Sequence, residues 1–251
     1  MDIYTRFASV YDLFMEDVPY DEWCSDIVDL LKKEGIEKGI VLDLGCGTGT
    51  MTRLLAKYGY DMIGVDSSED MLMIAREKQG DSDNTILYLL QDMREFELYG
   101  TVNAVISICD SINYILEIEE LIEVFKLVNN YLNPKGIFIF DLNTEYKYRV
   151  LLGDTTIAEN KEESSFIWEN FYDKENQLNE YDLTIFTKAE GNKYHKYCET
   201  HYQKAYSLDT IRTALKEAGM EFIGAYESGT RNAPKADSER ICIIARERGK
   251  S

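Results

Sequence analysis

Three glycines at alternate positions, Gly45, Gly47 and Gly49, follow the apolar run Val41-Leu42-Asp43-Leu44 and lead into a helical stretch. Glycine is required where a backbone turns tightly or must approach a ligand with no Cβ in the way. The helix start behind the loop offers free N–H groups and a partial positive end, suited to a carboxylate or phosphate. The spacing G-x-G-x-G differs from the G-x-G-x-x-G of dinucleotide sites. Asp43, two positions before the first glycine, would repel a pyrophosphate but accept a hydrogen bond from the ammonium of an amino-acid tail. The loop therefore suits a nucleoside ligand with an amino-acid end and no phosphate.

Further carboxylates follow at the ends of apolar runs. Asp66 closes Asp61–Val65 and is placed to accept both hydroxyls of a ribose, a role acidic residues play in related nucleotide folds; it equally suits the N-cap of the next helix. Asp92 follows the run ending at Leu90, where it could accept from an adenine amino group, with Met93 and Met71 packing on the ring. Cys109 and Asp110 follow the run 102–108 and would lie beneath the reactive end of the ligand; Cys109 suits a packed small residue better than a reactive thiol. His195 and His201, the only two histidines, are six apart on an expected strand and so share a face. Either could take a proton from a substrate, although exposed strand histidines are the blander reading. Two histidines with no acidic partners nearby predict no metal site. The many tyrosines after residue 170 suit ordinary strand composition, with an aromatic wall over the site as the functional alternative.

These residues need a scaffold that gathers strand ends. Between 37 and 145 short β-branched runs (39–44, 61–65, 85–90, 102–108, 136–142) alternate with helical stretches (49–58, 68–78, 117–131). That alternation predicts an α/β fold with a parallel sheet covered on both faces, and open sheets of this kind bind ligands at the carboxyl ends of their strands. Asn133-Pro134-Lys135-Gly136 reads as the turn into the fifth strand. After about residue 145, segments 165–173, 179–188 and 194–206 read as hairpin-connected antiparallel strands. A helix over 207–218, capped by Ser207 or Asp209, and two strands at 221–226 and 239–246 complete the chain. The expected organisation is a single domain: helical cap 1–37, cofactor core 38–145, β insertion 146–206, and returning elements 207–251.

Composition narrows the partners. Lys and Arg total 27 against 46 Asp and Glu, a net charge of −19. Proteins that bind nucleic acid draw affinity from neutralised phosphates, so a nucleic-acid partner is not expected. No apolar run approaches the ~20 residues that span a bilayer, and neither a signal-peptide pattern nor a lipidation signal is legible, which predicts a cytoplasmic chain. Five scattered cysteines without a CxxC pair predict reduced thiols.

The segments VLDLGCGTGT, GVDSSEDML, QDM, ISICDSINYI and LNPKGIFIFDLNT, taken in order over residues 38–145, resemble the consecutive motifs of class I S-adenosylmethionine-dependent methyltransferases. The resemblance implies a Rossmann-like doubly wound sheet of seven strands, order 3-2-1-4-5-7-6, with one antiparallel strand. It implies S-adenosylmethionine as cofactor, with Asp43, Gly45, Gly47 and Gly49 around the amino-acid tail, Asp66 at the ribose, and Asp92 and Met93 at the adenine; the neighbouring Cys46, Ser67, Met71 and Cys109 are read from their positions as further cofactor contacts. FASVYDLFM near the N-terminus and the β insertion are similar to small-molecule methyltransferases of the sugar-amine and glycine type, which makes Tyr11 a candidate lid residue. Methyl transfer to an oxygen or nitrogen of a small molecule is the leading expectation, with His195, His201, Tyr11 and Asp110 as candidate bases. RNA or protein methylation and a non-catalytic cofactor-binding role stand as alternatives.

Overall fold

The computed structural model describes residues 11–12, 15, 18–79, 86–191 and 193–250. Residues 1–10, 13, 14, 16 and 17 lie outside it, so most of the FASVYDLFM resemblance is not placed; Tyr11, Asp12 and Met15 are. The elements run α1 (Tyr20–Lys33), β1 (Gly39–Leu44), α2 (Thr50–Lys57), β2 (Tyr60–Asp66), α3 (Glu69–Gln79), β3 (Leu87–Leu90), β4 (Val102–Ser107), a 3₁₀ turn (Ser111–Tyr114), α4 (Ile118–Tyr131) and β5 (Leu132–Asn143). A π-helical turn (Lys147–Leu152) leads to β6 (Thr156–Asn160), β7 (Ser164–Asp173), β8 (Leu178–Lys188) and β9 (Tyr194–Lys204), and the chain closes with α5 (Leu208–Glu217), β10 (Met220–Glu227) and β11 (Arg240–Glu247).

Seven strands form one sheet in the order β10-β11-β5-β4-β1-β2-β3. Its β1, β2, β3, β4 and β5 pair in parallel, whereas β11 runs antiparallel to both β5 and β10. This is the doubly wound Rossmann-like topology that the family resemblance implies, with β11 as the one reversed strand among the described residues. Strands β4 and β5 are buried almost throughout, because helices cover both faces. On one face α4 and α5 pack Phe125, Val128, Ile211 and Leu215 against Phe138, Phe140 and Ile243. On the other, α1, α2 and α3 bring Val28, Leu31, Leu55 and Leu72 against Val41, Ile106 and Ile139.

The remaining strands form a second, antiparallel sheet, β6-β7-β8-β9. Along β8 burial alternates residue by residue, the pattern of a sheet with one covered face. Three expectations are corrected and one open alternative is resolved. The fifth strand starts at Leu132 and runs through Asn133-Pro134-Lys135-Gly136 as an irregularity: Lys135 has φ +65° and the pairing with β4 slips between Val102 and Ala104. The third strand is only Leu87–Leu90. An additional strand, β6, pairs with β7; it is exposed on most residues, so it carries no buried alternation to read. Ser207, not Asp209, caps α5, its hydroxyl accepting from the Thr210 N–H at 3.0 Å.

Candidate active site

The loop after β1 is locked to the end of β2. The Gly45 and Cys46 N–H groups both donate to the Val65 carbonyl, at 2.8 and 3.0 Å. Gly45, Gly47 and Gly49 have φ of +80°, +53° and +72°, values that favour glycine because a Cβ clashes with its own backbone there. The three are not equivalent. A Cβ on Gly45 would meet Ser111 Cβ and Oγ at 2.8 Å, and one on Gly49 would strike the Tyr88 hydroxyl, so these two serve packing. A Cβ on Gly47 would project into open space, which leaves the loop's concave side clear for a ligand's backbone-like end.

Asp66 folds back over this loop, accepting from Gly47 N–H at 2.7 Å and Ser68 N–H at 2.9 Å. Burial raises its pKa despite those donors. Asp66 thus stands beside the glycine loop, two residues ahead of Ser68, whose hydroxyl caps α3 by accepting from the Met71 N–H at 3.3 Å; the N-cap reading of Asp66 is corrected accordingly. Ser67 is exposed next to it, and Met71 lies half-buried in the first turn of α3. Met93 reaches the same loop from after β3: its Cε would lie 3.3 Å from a Cβ on Gly45.

Two carboxylates have partners that the residue pattern did not foretell. Asp43 is 2 % exposed and accepts the Thr52 hydroxyl at 2.5 Å, tying β1 to α2. Burial pushes its pKa up to about 7, with Thr52 opposing the shift and Asp66 adding to it. Asp92 is gripped by Arg94 through its backbone N–H (2.8 Å) and guanidinium (2.6 Å), which holds its pKa below the usual carboxylate range. Cys46 is buried in the loop, and burial raises its thiol well above the ordinary value.

The end of β4 carries an unusual backbone. Cys109 and Asp110 are consecutive non-glycine residues at positive φ, +64° and +54°, a conformation that costs roughly 1–2 kcal/mol per residue and persists only where surroundings enforce it. Asp141, at the end of β5, does so: it accepts the Cys109 and Asp110 N–H groups at 3.3 and 2.7 Å. Arg240, at the start of β11, bridges Asp141 (2.8 Å) and Asp110 (2.5 Å) and lies over the Trp23 ring at 5.4 Å. Asp110 also accepts from Gln203 Nε2 on β9 at 2.6 Å. Its oxygens are thereby engaged by a guanidinium and an amide, which turns this candidate base into a clamp. The Cys109 thiol, pushed up to about 12 by burial and Asp141, is no nucleophile; its sulfur lies 3.5 Å from the Tyr20 hydroxyl. Tyr11 hydrogen-bonds Tyr20 in turn and lies within electrostatic reach of Cys109 and Asp110, with burial raising its phenol further. Asp12 accepts the Thr48 hydroxyl at 2.7 Å and pairs with Lys78, joining the N-terminal segment to the glycine loop.

The second sheet docks onto this strand end through β9. Asn113 donates to the Lys204 and Asn143 carbonyls (2.8 and 3.2 Å), and Tyr148 donates to Gln203 at 3.0 Å. His201 faces inward, stacked on Tyr181 at 4.8 Å and touching the Tyr114 hydroxyl at 3.3 Å. His195 shares that face but lies six residues away, roughly 20 Å along the strand, opposite Thr187 and exposed beyond the docked end. The site therefore gathers Tyr11, Cys109, Asp110 and His201 and leaves His195 apart. Asp141, Arg240, Gln203 and Glu199 escaped sequence reasoning. Asp141 alone had a local signal, as an acidic residue ending an apolar strand like Asp66.

Residues 41–136 match a family model described as a methyltransferase domain. A Bacillus subtilis methyltransferase-family protein, YqeM, is 37% identical over 97% of this chain and 96% of its own length. A Streptomyces venezuelae enzyme named as a dTDP-3-amino-3,4,6-trideoxy-alpha-D-glucopyranose N,N-dimethyltransferase is 36% identical over 53% of the chain and 56% of its own length. Among solved structures, an S-adenosylmethionine-dependent methyltransferase from Clostridium acetobutylicum superposes with TM-score 0.88 at 28% identity, covering 99% of this chain and 100% of that one. The fold and the glycine-loop site define a Rossmann-like methyltransferase. The chain belongs to the S-adenosylmethionine-dependent methyltransferase family, and S-adenosylmethionine is its cofactor. The open cradle over Gly47 beside Asp66 fits that group. Among the described residues, no helix is long and apolar enough to cross a membrane.

Proposed function

We propose that the enzyme methylates a nitrogen or oxygen of a small polar molecule, held between the strand ends of the seven-stranded sheet and the inner face of the β insertion. Gly45, Cys46, Gly47 and Gly49 hold the amino-acid end of the cofactor with Asp43 behind them, Asp66 and Ser67 take the ribose, and Met71, Asp92 and Met93 flank the adenine. Bound there, S-adenosylmethionine supplies a methyl group already activated on a sulfonium. The residues around it need chiefly to align the nucleophile, exclude water and accept a proton.

The observation that carries this reading is the docking of β9 onto the Cys109–Tyr114 segment through Gln203–Asp110 and Asn113–Lys204. These bonds hold an aromatic sheet face, Trp168, Tyr181 and His201, over the segment assigned to the methyl end, a covered position that suits a compact acceptor better than a folded polymer. The net charge of −19 disfavours a nucleic-acid acceptor. The sugar-amine activity in the name of the Streptomyces venezuelae relative makes amino-sugar nucleotides the first acceptors to try. His201 is the proton-accepting group of choice, with Tyr11 closing the cofactor side.

The test is transfer of radiolabelled methyl from S-adenosylmethionine to dTDP-3-amino sugars, other small amines and alcohols, and to bulk RNA and protein, after calorimetry has established cofactor binding. Label in the small-molecule fraction is expected. Label confined to RNA or protein would overturn the reading.

A further inference from the structure

The inner face of β9 carries a polar chain graded from exposed to buried. Tyr114, in the 3₁₀ turn beyond β4, is 42% exposed. Its hydroxyl lies 2.7 Å from the Tyr181 hydroxyl and 3.3 Å from His201 Nδ1. His201 Nε2 lies 3.1 Å from Glu199 Oε2, with side chains 14% and 5% exposed. The other oxygen, Glu199 Oε1, is buried with no hydrogen-bond partner.

The chemistry of the partners sets the proton positions. An ionised carboxylate only accepts, so Nε2 carries the hydrogen that faces Glu199, and Nδ1 is left as an acceptor for the Tyr114 hydroxyl. A buried carboxylate with one neutral donor is under-satisfied. Positive charge on the imidazole beside it relieves that deficit, which is how a buried carboxylate orients and stabilises a histidine that gains a proton.

We propose that Tyr114, His201 and Glu199 form a proton relay, in which Tyr114 touches the methyl acceptor and Glu199 is the positioning residue behind His201. The inference rests on the proposed small-molecule methyl transfer. The acceptor's N–H or O–H proton passes to the Tyr114 oxygen as the Tyr114 proton moves to His201 Nδ1. The acceptor's lone pair forms the bond to the methyl carbon, and the carbon–sulfur pair leaves with sulfur. The resulting imidazolium stays paired with Glu199 until its proton returns through Tyr114 to water. Tyr181, stacked on His201 at 4.8 Å and bonded to Tyr114, fixes the geometry of both.

With two histidines in the chain, nitrogen-15 NMR of the imidazoles is a direct test, exposed His195 serving as an internal reference of free tautomer exchange. His201 is expected in one tautomer, with a slowly exchanging Nε2–H and an unprotonated Nδ1. Glu199→Gln is expected to give a mixture of tautomers, and Tyr114→Phe to move the Nδ1 resonance while leaving Nε2–H in place. An Nδ1–H or averaged His201 in the unsubstituted protein, or a Glu199→Gln spectrum identical to it, overturns the relay without needing any substituted protein to turn over. On an acceptor that scores in the labelling assay, Tyr114→Phe should lower kcat roughly 10²-fold or more, the range of general acid–base catalysis, with S-adenosylmethionine affinity retained; an unchanged kcat also overturns it. Calorimetry against S-adenosylmethionine on the same samples separates the two ideas: failed cofactor binding sinks the methyltransfer reading, whereas intact binding with the wrong tautomer sinks only the relay.

Discussion

The two sheets of this enzyme are built on different principles. The seven-stranded sheet is buried on both faces, and its parallel strands end at one edge in glycines and carboxylates close to each other in the chain. The four-stranded sheet is antiparallel, covered on one face, and carries buried polar groups on that face: Asn170, Asn179, Glu199 and Gln203. The first makes a rigid cradle from backbone and short side chains. The second brings long side chains from far along the chain to the open end of that cradle. A rigid cofactor half with a side-chain-built cover lets one cofactor chemistry serve many acceptors, since binding residues concentrate where a stable scaffold leaves room for variation.

The sharpest way to break this comparison is at the joint between the sheets. Replacing Arg240 by Met leaves Asp110 and Asp141 without their cation in a buried site, a loss of about 3–5 kcal/mol. Thermal unfolding should show Tm falling on the order of 10 °C, and a change below 1 kcal/mol would mean that the clamp is dispensable. Asn113→Ala removes the bonds to the Lys204 and Asn143 carbonyls and to the Asn143 N–H, with an expected cost of about 2 kcal/mol. Hydrogen exchange should rise in β9 while β1 and β2 stay protected. Equal loosening of both sheets would deny that they are separable units.

Within the cradle, Gly47→Ala tests open space against packing. The positive φ predicts a stability loss of about 1 kcal/mol. The new Cβ should nonetheless lower cofactor affinity at least about tenfold, equal to 1.4 kcal/mol, in calorimetry. A stability loss well beyond that backbone strain, or an affinity left unchanged, would mean that the glycine serves the loop and not the cradle.

The smallest effect is a proton. Asp43 has a folded pKa of about 7 against an ordinary 3.8. A raised carboxyl favours the folded state most below about pH 4, and that contribution fades as pH climbs through 7. A cofactor ammonium drawn near would pull the pKa down again. Cofactor binding at about pH 6 should then release a fraction of a proton, read from calorimetry in buffers of different ionisation enthalpy. Asp43→Asn should abolish the release and flatten stability between pH 4 and 7.

The parallel sheet and the glycine loop were legible because each depends on short stretches, whereas the strand order came from the family resemblance. Alternating apolar runs state the sheet, and glycine spacing states the turn. Asp43 and Asp92 were legible as strand-end carboxylates, but not their partners: Thr52 is a turn into the next helix and Arg94 two residues on, and side-chain choices of that kind depend on packing. β6 was missed because its exposed residues carry no buried alternation.

What the sequence by itself determined is the cofactor half, since strand, turn and helix start follow one another within about ten residues and their backbone preferences are local. What only the tertiary structure decided is the open end. Arg240 meets Asp110 across 130 residues and Gln203 meets it across 93, and the same docking sets His201 against Tyr114 while leaving His195 on the same face but exposed beyond the docked end. Strand periodicity gives both histidines the same face; only the packing of β9 against the 3₁₀ turn distinguishes the one at the site from the one in solvent.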